Sequence, residues 1–180
     1  MGIEPKIKIM RVVKFILIGG ITLFIVLTVF SLIFPSHLRV GRDINIAAPR
    51  EKVQAAISDL RTWDHWNEFI RSSSLTSRSF SSPSSGKGAF LSSDQLLVSE
   101  SVSQPGRIEF NWKQPKGKNF EGGFNLLQLR PDSLTVQWWF DFHFRWYPWE
   151  KLGLLVYDKK FGPVMEESLD SLKRYIENSP

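Results

Sequence analysis

The chain has 180 residues, 23 Lys and Arg against 18 Asp and Glu, a formal charge of +5 and no cysteine. Without cysteine there are no disulfides, no thiol catalysis and no cysteine-held metal. The basic excess forms no stripe or aromatic-basic motif, which excludes a nucleic-acid signature, and the 3 histidines (His37, His65, His143) sit at no zinc-ligand spacing.

Lys6, Lys8, Arg11 and Lys14 precede Phe15–Phe34, a run of twenty residues without a charge. At ~1.5 Å rise per residue a helix of that length spans roughly 30 Å, the hydrocarbon thickness of a bilayer. A helix satisfies its own backbone groups in lipid. The alternative is a cleaved signal peptide, whose apolar region usually runs ~7–15 residues to a small-residue cleavage site. Here the run leaves through Phe34-Pro35-Ser36-His37-Leu38, with no A-x-A, and Ala47-Ala48 falls later, inside an expected strand. The reading is an uncleaved single-pass anchor: residues 1–14 a cytoplasmic basic tail, 15–34 a transmembrane helix, and 38–180 a domain on the outer or periplasmic side. The orientation follows the Lys/Arg excess before the run. Arg39, Arg42 and Arg50 behind it keep that bias small. After residue 36, 19 basic and 17 acidic side chains remain, so the domain itself is nearly neutral.

The domain opens with a strand over Leu38–Ala47. Pro49 then stands near the first turn of a helix. Val53, Ala56, Ile57 and Leu60 form its apolar stripe. A second short helix is expected over Thr62–Phe69, carrying Trp63 and Trp66. The serine-rich stretch 71–88 reads as a weak strand at Leu75–Phe80 and a loop through Pro83 and Gly86. Clearer strands follow at Gln95–Ser103 and Arg107–Trp112, joined by the turn Gln104-Pro105-Gly106. A strand over Phe120–Arg130 meets the turn Pro131-Asp132-Ser133. The strand Leu134–Arg145 then sets Leu134, Val136, Trp138, Phe140, Phe142 and Phe144 on one face and Thr135, Gln137, Trp139, Asp141, His143 and Arg145 on the other. Short turns between neighbours imply an antiparallel sheet. A long helix over Lys151–Asn178 closes the chain, with Phe161, Met165, Leu169, Leu172 and Ile176 as its apolar stripe. Gly162-Pro163 is a candidate kink.

In this order, several segments are similar to those of one family. They are Val40-Gly41-Arg42-Asp43-Ile44-Asn45-Ile46, Ala48-Pro49-Arg50-Glu51-Lys52-Val53, Asp59 through Trp63 to Trp66, Gly86-Lys87-Gly88-Ala89, Val98-Ser99-Glu100-Ser101, Asp158 to Pro163, and Leu169 to Lys173. Together they resemble the START-like, polyketide-cyclase (SRPBCC) superfamily, and more closely its bacterial membrane-anchored members. The resemblance implies an α+β helix-grip fold: a curved antiparallel sheet wrapped around a long C-terminal helix, preceded by one transmembrane helix. It also implies an apolar cavity between sheet and helix, since members bind lipids, sterols, polyketides and other hydrophobic molecules. The serine-rich stretch and Tyr147-Pro148-Trp149 depart from the pattern.

Within that fold, Trp138, Phe140, Phe142 and Phe144 are the candidate cavity wall, joined by Trp63, Trp66, Phe161 and Met165. Ordinary core packing is the competing role for each aromatic. Glu100, Arg107 and Tyr157 are candidate polar contacts. No residues form an acid–base constellation: His143 and Asp141 lie on the face opposite the aromatic stripe, and neighbours such as Asp64 and His65 do not face each other on a helix. The expected function is therefore binding of a hydrophobic small molecule or lipid by a membrane-anchored, monomeric protein, with no metal and no cofactor. The alternatives are a cyclase- or dehydrase-like enzyme acting on an apolar substrate, and a non-catalytic structural or interaction domain of the cell envelope.

Overall fold

The computed structural model describes residues 4–33, 35–71, 75, 77–115, 117–145, 147, 150–151 and 154–178. The chain divides into two compact units: Met1–Ser36 with Phe144–Leu154, and His37–His143 with Leu155–Pro180.

In the first unit, α1 (Glu4–Ile33) is a single 30-residue helix. Its segment Ile9–Ile33, 25 residues with a mean hydropathy of 2.7, is long and apolar enough to cross a membrane; a signal sequence near an N-terminus meets the same criterion. Apolar side chains are exposed all along it, from Phe15 to Ile33. Its last carbonyls have no partners within the helix. One of them, Ser31 O, accepts a bond of 2.7 Å from Lys151 Nζ. Beyond the helix, Phe144 N donates to Ser36 O at 2.8 Å, and Glu150 N and Lys151 N both donate to Tyr147 O, forming one turn. Pro148 and Trp149 lie outside the described residues.

The second unit is built on one seven-stranded sheet in the order β1-β7-β6-β5-β4-β3-β2. Its strands are β1 (His37–Ile46), β2 (Ser79–Phe80), β3 (Phe90–Ser92), β4 (Leu97–Gln104), β5 (Arg107–Lys113), β6 (Phe120–Arg130) and β7 (Ser133–His143). All neighbouring pairs are antiparallel. Between β1 and β2 come α2 (Arg50–Ser58) and two single turns, α3 (Trp63–Trp66) and α4 (Glu68–Arg71); the long helix α5 (Leu154–Glu177) closes the chain.

Alternation dictates the inner face of β7: Leu134, Val136, Trp138, Phe140 and Phe142 are all buried. Trp139, expected toward solvent, is only 7% exposed. The Arg39 guanidinium lies 4.5 Å over its ring. Gly123 lies opposite it on β6, where a Cβ would come within 2.9 Å of the indole and 2.7 Å of Ile108 O. Next to it, Gly122 leaves room on the other face for the Phe140 ring, whose Cε1 a Cβ would approach to 2.7 Å. Two adjacent glycines thus admit large rings on both sides of one strand.

The helix lies against the inner face through Phe161, Met165, Leu169, Leu172 and Ile176, all buried. It runs unbroken through Pro163. Pro163 is on the exposed face, so the carbonyl that loses its N–H partner can be solvated. Polar ties hold the helix at its length: Arg42 pairs with Glu166 and Asp158, Ser168 Oγ accepts from Glu68 N, and Glu177 accepts from Ala47 N.

The expected helix over Thr62–Phe69 is instead two turns separated at Asn67, whose Oδ1 accepts Phe69 N at 3.1 Å. The expected strand at Leu75–Phe80 shrinks to Ser79–Phe80. β7 stops at His143, so Phe144 belongs to the first unit.

Candidate functional site

Between the ends of β5 and β6 and the helix α5 lies a cavity of about 340 Å³. Its walls come from Phe69 on α4, Leu75, Gln95 and Leu96 ahead of β4, Trp112 and Gln114 at the end of β5, Phe120 at the start of β6, and Lys160, Phe161 and Val164 on α5. That is near the lower end of the 300–1,000 Å³ typical of small-molecule pockets. Lys160 is the single ionisable side chain among its described lining residues, and its ammonium stands 5.5 Å from the centre of the Phe161 ring. A second, polar basin of about 540 Å³ adjoins it, lined by Asp94, Gln95, Gln114, Pro115 and Gly117. Gln95 and Gln114 are common to both, so apolar and polar hollows meet at two carboxamides.

Behind this mouth the interior is filled by rings. Phe69 projects into the space between sheet and helix, with ring centres 5.6 Å from Phe140, 5.7 Å from Trp138 and 5.7 Å from Phe161. Deeper, Trp63 stacks on Trp112 at 5.6 Å and Phe124 on Trp138 at 5.0 Å. Trp66 meets Trp138 edge-on at 6.3 Å. The Trp63 indole donates to Ile57 O at 2.8 Å and that of Trp66 to Thr62 Oγ1 at 3.3 Å. The indole nitrogens of Trp112 and Trp138 and the amide nitrogen of Asn67 are buried without a hydrogen-bond partner.

Of the residues expected along the wall, Phe161 lines the cavity. Phe140 and Phe142 stand one ring back, 5.9 and 4.8 Å from Phe161. Trp63, Trp66 and Trp138 are fully buried in the ring cluster, and Met165 is fully buried one turn beyond Phe161. Phe144 is buried in the other unit. Glu100, Arg107 and Tyr157 are not among the described lining residues.

Sequence reasoning passed over Phe69, Trp112, Phe120, Gln95, Gln114, Lys160 and Val164. One signal was available. Trp63, Trp66 and Phe69 recur every third residue, which aims a third ring the same way as the first two. Trp112 and Phe120 were ordinary members of alternating strands, and only the sheet register brings them together, pairing them across β5 and β6.

Among the described residues, the titratable groups with shifted affinities are not among those lining this cavity. Glu100, 2% exposed on β4, has its carboxyl pushed up by burial, against the opposing pull of the Ser103 hydroxyl and the Gly86 N–H. Its Oε2 accepts from Gly86 N at 2.9 Å, and Oε1 closes no bond of good geometry. Gly86 and Gly88 reach it by adopting φ of +91° and +92°, where side chains are strained. Arg39 bonds to the Asp141 carboxylate and holds it below the usual carboxylate range. Asp64 pairs with Arg78, while His65 stacks on Tyr175 at 5.5 Å. Among the described residues no group of three or more His, Asp or Glu is placed to hold a metal.

Solved structures share this architecture. A START superfamily protein from Mycobacterium smegmatis matches with a TM-score of 0.57 at 18% identity, over 77% of this chain and 97% of that one. CalU16 from Micromonospora echinospora matches with 0.54 at 14%, over 79% and 76%. Norcoclaurine synthase from Thalictrum flavum, solved in complex with dopamine and hydroxybenzaldehyde, matches with 0.56 at 10%, over 80% and 89%. At these identities the likeness is one of fold. No curated protein matches the chain in sequence. The sheet gripping a C-terminal helix, and a match of residues 37–177 to the family described as polyketide cyclase / dehydrase and lipid transport, lead to one conclusion: the chain belongs to that family.

Proposed function

We propose that the protein binds an apolar small molecule or a single acyl chain in the cavity between Phe69, Trp112, Phe120 and Phe161, while α1 holds it in a membrane as a single-pass anchor. The observation that carries this reading is the cavity itself: apolar and aromatic walls, one ionisable group at its rim, and a polar basin beside it. Such a site favours a ligand by removing its apolar surface from water. It offers few polar contacts, chiefly Lys160, Gln95 and Gln114. Among its described lining residues Lys160 is the single ionisable group, and no carboxylate or imidazole stands beside it. The family description covers both polyketide cyclase or dehydrase activity and lipid transport, and the apolar lining supports the binding reading. Trp138, Phe140, Phe142 and Met165 act as the floor that supports the wall, and their rings limit how deep a ligand can reach.

The test uses a chain beginning at His37, once its cooperative unfolding has been demonstrated. Titration with a saturated fatty-acid series, read by displacement of an apolar fluorescent dye, should show affinity rising by ~0.8 kcal/mol per CH₂ until the cavity is full. Val164→Phe, which fills the cavity from the helix side, should weaken binding more than it shifts the urea midpoint. If neither the acids nor neutral apolar aromatics bind, the interior is packing alone and the structural or interaction-domain reading replaces this one.

A further inference from the structure

We propose that the ligand of the apolar cavity carries a neutral hydrogen-bond acceptor, the carbonyl of a ketone, ester or amide, and that the indole N–H groups of Trp112 and Trp138 bind it once the Phe69 ring swings aside. The inference rests on the binding reading above and names the chemical class of the ligand.

Three observations carry it. The first is an imbalance among buried polar atoms. Trp112 Nε1, Trp138 Nε1 and Asn67 Nδ2 are donors without a hydrogen-bond partner, on residues at most 2% exposed. A buried donor left unpaired costs the free energy of taking it out of water. Trp63 and Trp66, in the same ring cluster, direct their indole N–H groups to Ile57 O and Thr62 Oγ1. The three left over are all donors, and an acceptor is what satisfies them. The second observation is their place. Trp112 lines the cavity, and so does Phe69. The Phe69 ring centre lies 6.2 Å from that of Trp112 and 5.7 Å from that of Trp138, while its backbone N–H donates to Asn67 Oδ1. All three unpaired donors therefore belong to residues that touch Phe69. This ring rides on the single turn α4 and is only half-buried. The turn itself is tied down, Glu68 N donating to Ser168 Oγ and Arg78 Nη2 to Ile70 O. A change of one rotamer, with the backbone in place, extends the cavity to both indoles.

The third observation is charge. Lys160, the single ionisable group among the described lining residues, is exposed at the rim. The deeper donors are an indole pair and a carboxamide, all neutral. An anionic head carried down to them would lose its water and gain no opposite charge. A carboxylate is thus held at the rim by Lys160, and the deep end takes an uncharged oxygen. The ligand this arrangement fits is apolar over most of its surface and carbonyl-bearing at its buried end.

The test compares methyl nonyl ketone with its methylene isostere, in which C=CH₂ replaces C=O, as ligands of the full chain in phosphatidylcholine nanodiscs. Each affinity is corrected for partition into nanodiscs without protein. The unsubstituted protein should bind the ketone several-fold more tightly than the isostere, the effect of one neutral hydrogen bond. Trp112 and Trp138 are then replaced, one at a time, by benzothienylalanine, which keeps the bicyclic ring and exchanges the N–H for sulfur. The preference for the ketone should vanish in at least one replacement. The thermal midpoint without ligand should hold or rise, because the N–H removed has no partner to lose. That rise separates a ligand donor from a structural one: midpoints that fall in both replacements would mean that the indoles already bond within the folded protein, and would overturn the inference. A preference for the ketone that survives both replacements overturns it too. Equal affinity for ketone and isostere defeats this inference alone and leaves the cavity a binder of apolar molecules. Binding of neither, nor of fatty acids, defeats the binding reading itself.

Discussion

Glu100 carries a carboxyl group into the inner face of β4, directly across from Phe110. Burial raises its affinity for a proton above the usual value of 4.5. The folded protein then holds that proton more tightly than the unfolded chain does, so stability falls as pH rises from about 4.5 through the raised value. Asp141 works in the opposite sense. Its affinity is lowered by Arg39, so its contribution is present above its usual 3.8 and is lost as pH falls through the lowered value. Arg39 is well exposed, which screens that contribution. Urea midpoints measured across pH should therefore drop on the alkaline side of 4.5, and Glu100→Gln, whose amide oxygen can still accept Gly86 N–H, should flatten that drop. An unchanged slope in the variant would mean that another group titrates. In sequence, Glu100 could be seen only as a carboxylate in mid-strand. Its burial depends on the Gly86–Gly88 turn folding over it, which no periodicity reveals.

Elements with strong alternation were legible to within a residue or two: β6 runs over Phe120–Arg130 as expected, and β5 and β7 differ only at their ends. α5 kept its apolar stripe as read, because five residues at helical spacing outweigh one proline. Short elements were not legible. β3 has three residues and β2 two, too few for a period, and their pairing rather than their composition makes them strands. The break at Asn67 was hidden for a similar reason, since a side-chain bond to Phe69 N decides it. The cavity was the least legible feature: its walls come from six separate stretches of chain, and only the assembled sheet and helix bring them together. Gly162 on α5 offers a contest of magnitudes. A Cβ there would come within 3.0 Å of the Arg42 Cζ and displace the guanidinium from Glu166 and Asp158. Those half-exposed pairs contribute about 1 kcal/mol or less, and Ala in place of Gly within a helix contributes about as much in the stabilising direction. Gly162→Ala should thus leave the urea midpoint unchanged or slightly raised; a loss of several kcal/mol would show that Arg42 holds α5 to β1 far more firmly than exposed ion pairs do.

At the scale of the whole molecule, the anchor reading of α1 gives the sharpest expectation. The full-length chain should stay with membranes through an alkaline carbonate wash, and protease added to the outer face should degrade residues beyond His37. Protection of those residues in intact cells would reverse the orientation, and release of a shortened soluble form would identify the run as a cleaved signal. The open sheet has a consequence of its own. It ends in β1 on one side and β2 on the other, each hydrogen-bonded to a single neighbour. β2 offers only two residues to an incoming strand. β1 is ten residues long, but Arg39, Arg42 and Asp43 stand along it. Charge on an exposed strand, or too little of it, is how sheets resist zipping onto their own kind. Proteins confined to a membrane surface meet one another far more often than they would in free solution, so on the anchor reading of α1 this pair of uninviting margins would guard the protein against fibril-like association where crowding is greatest.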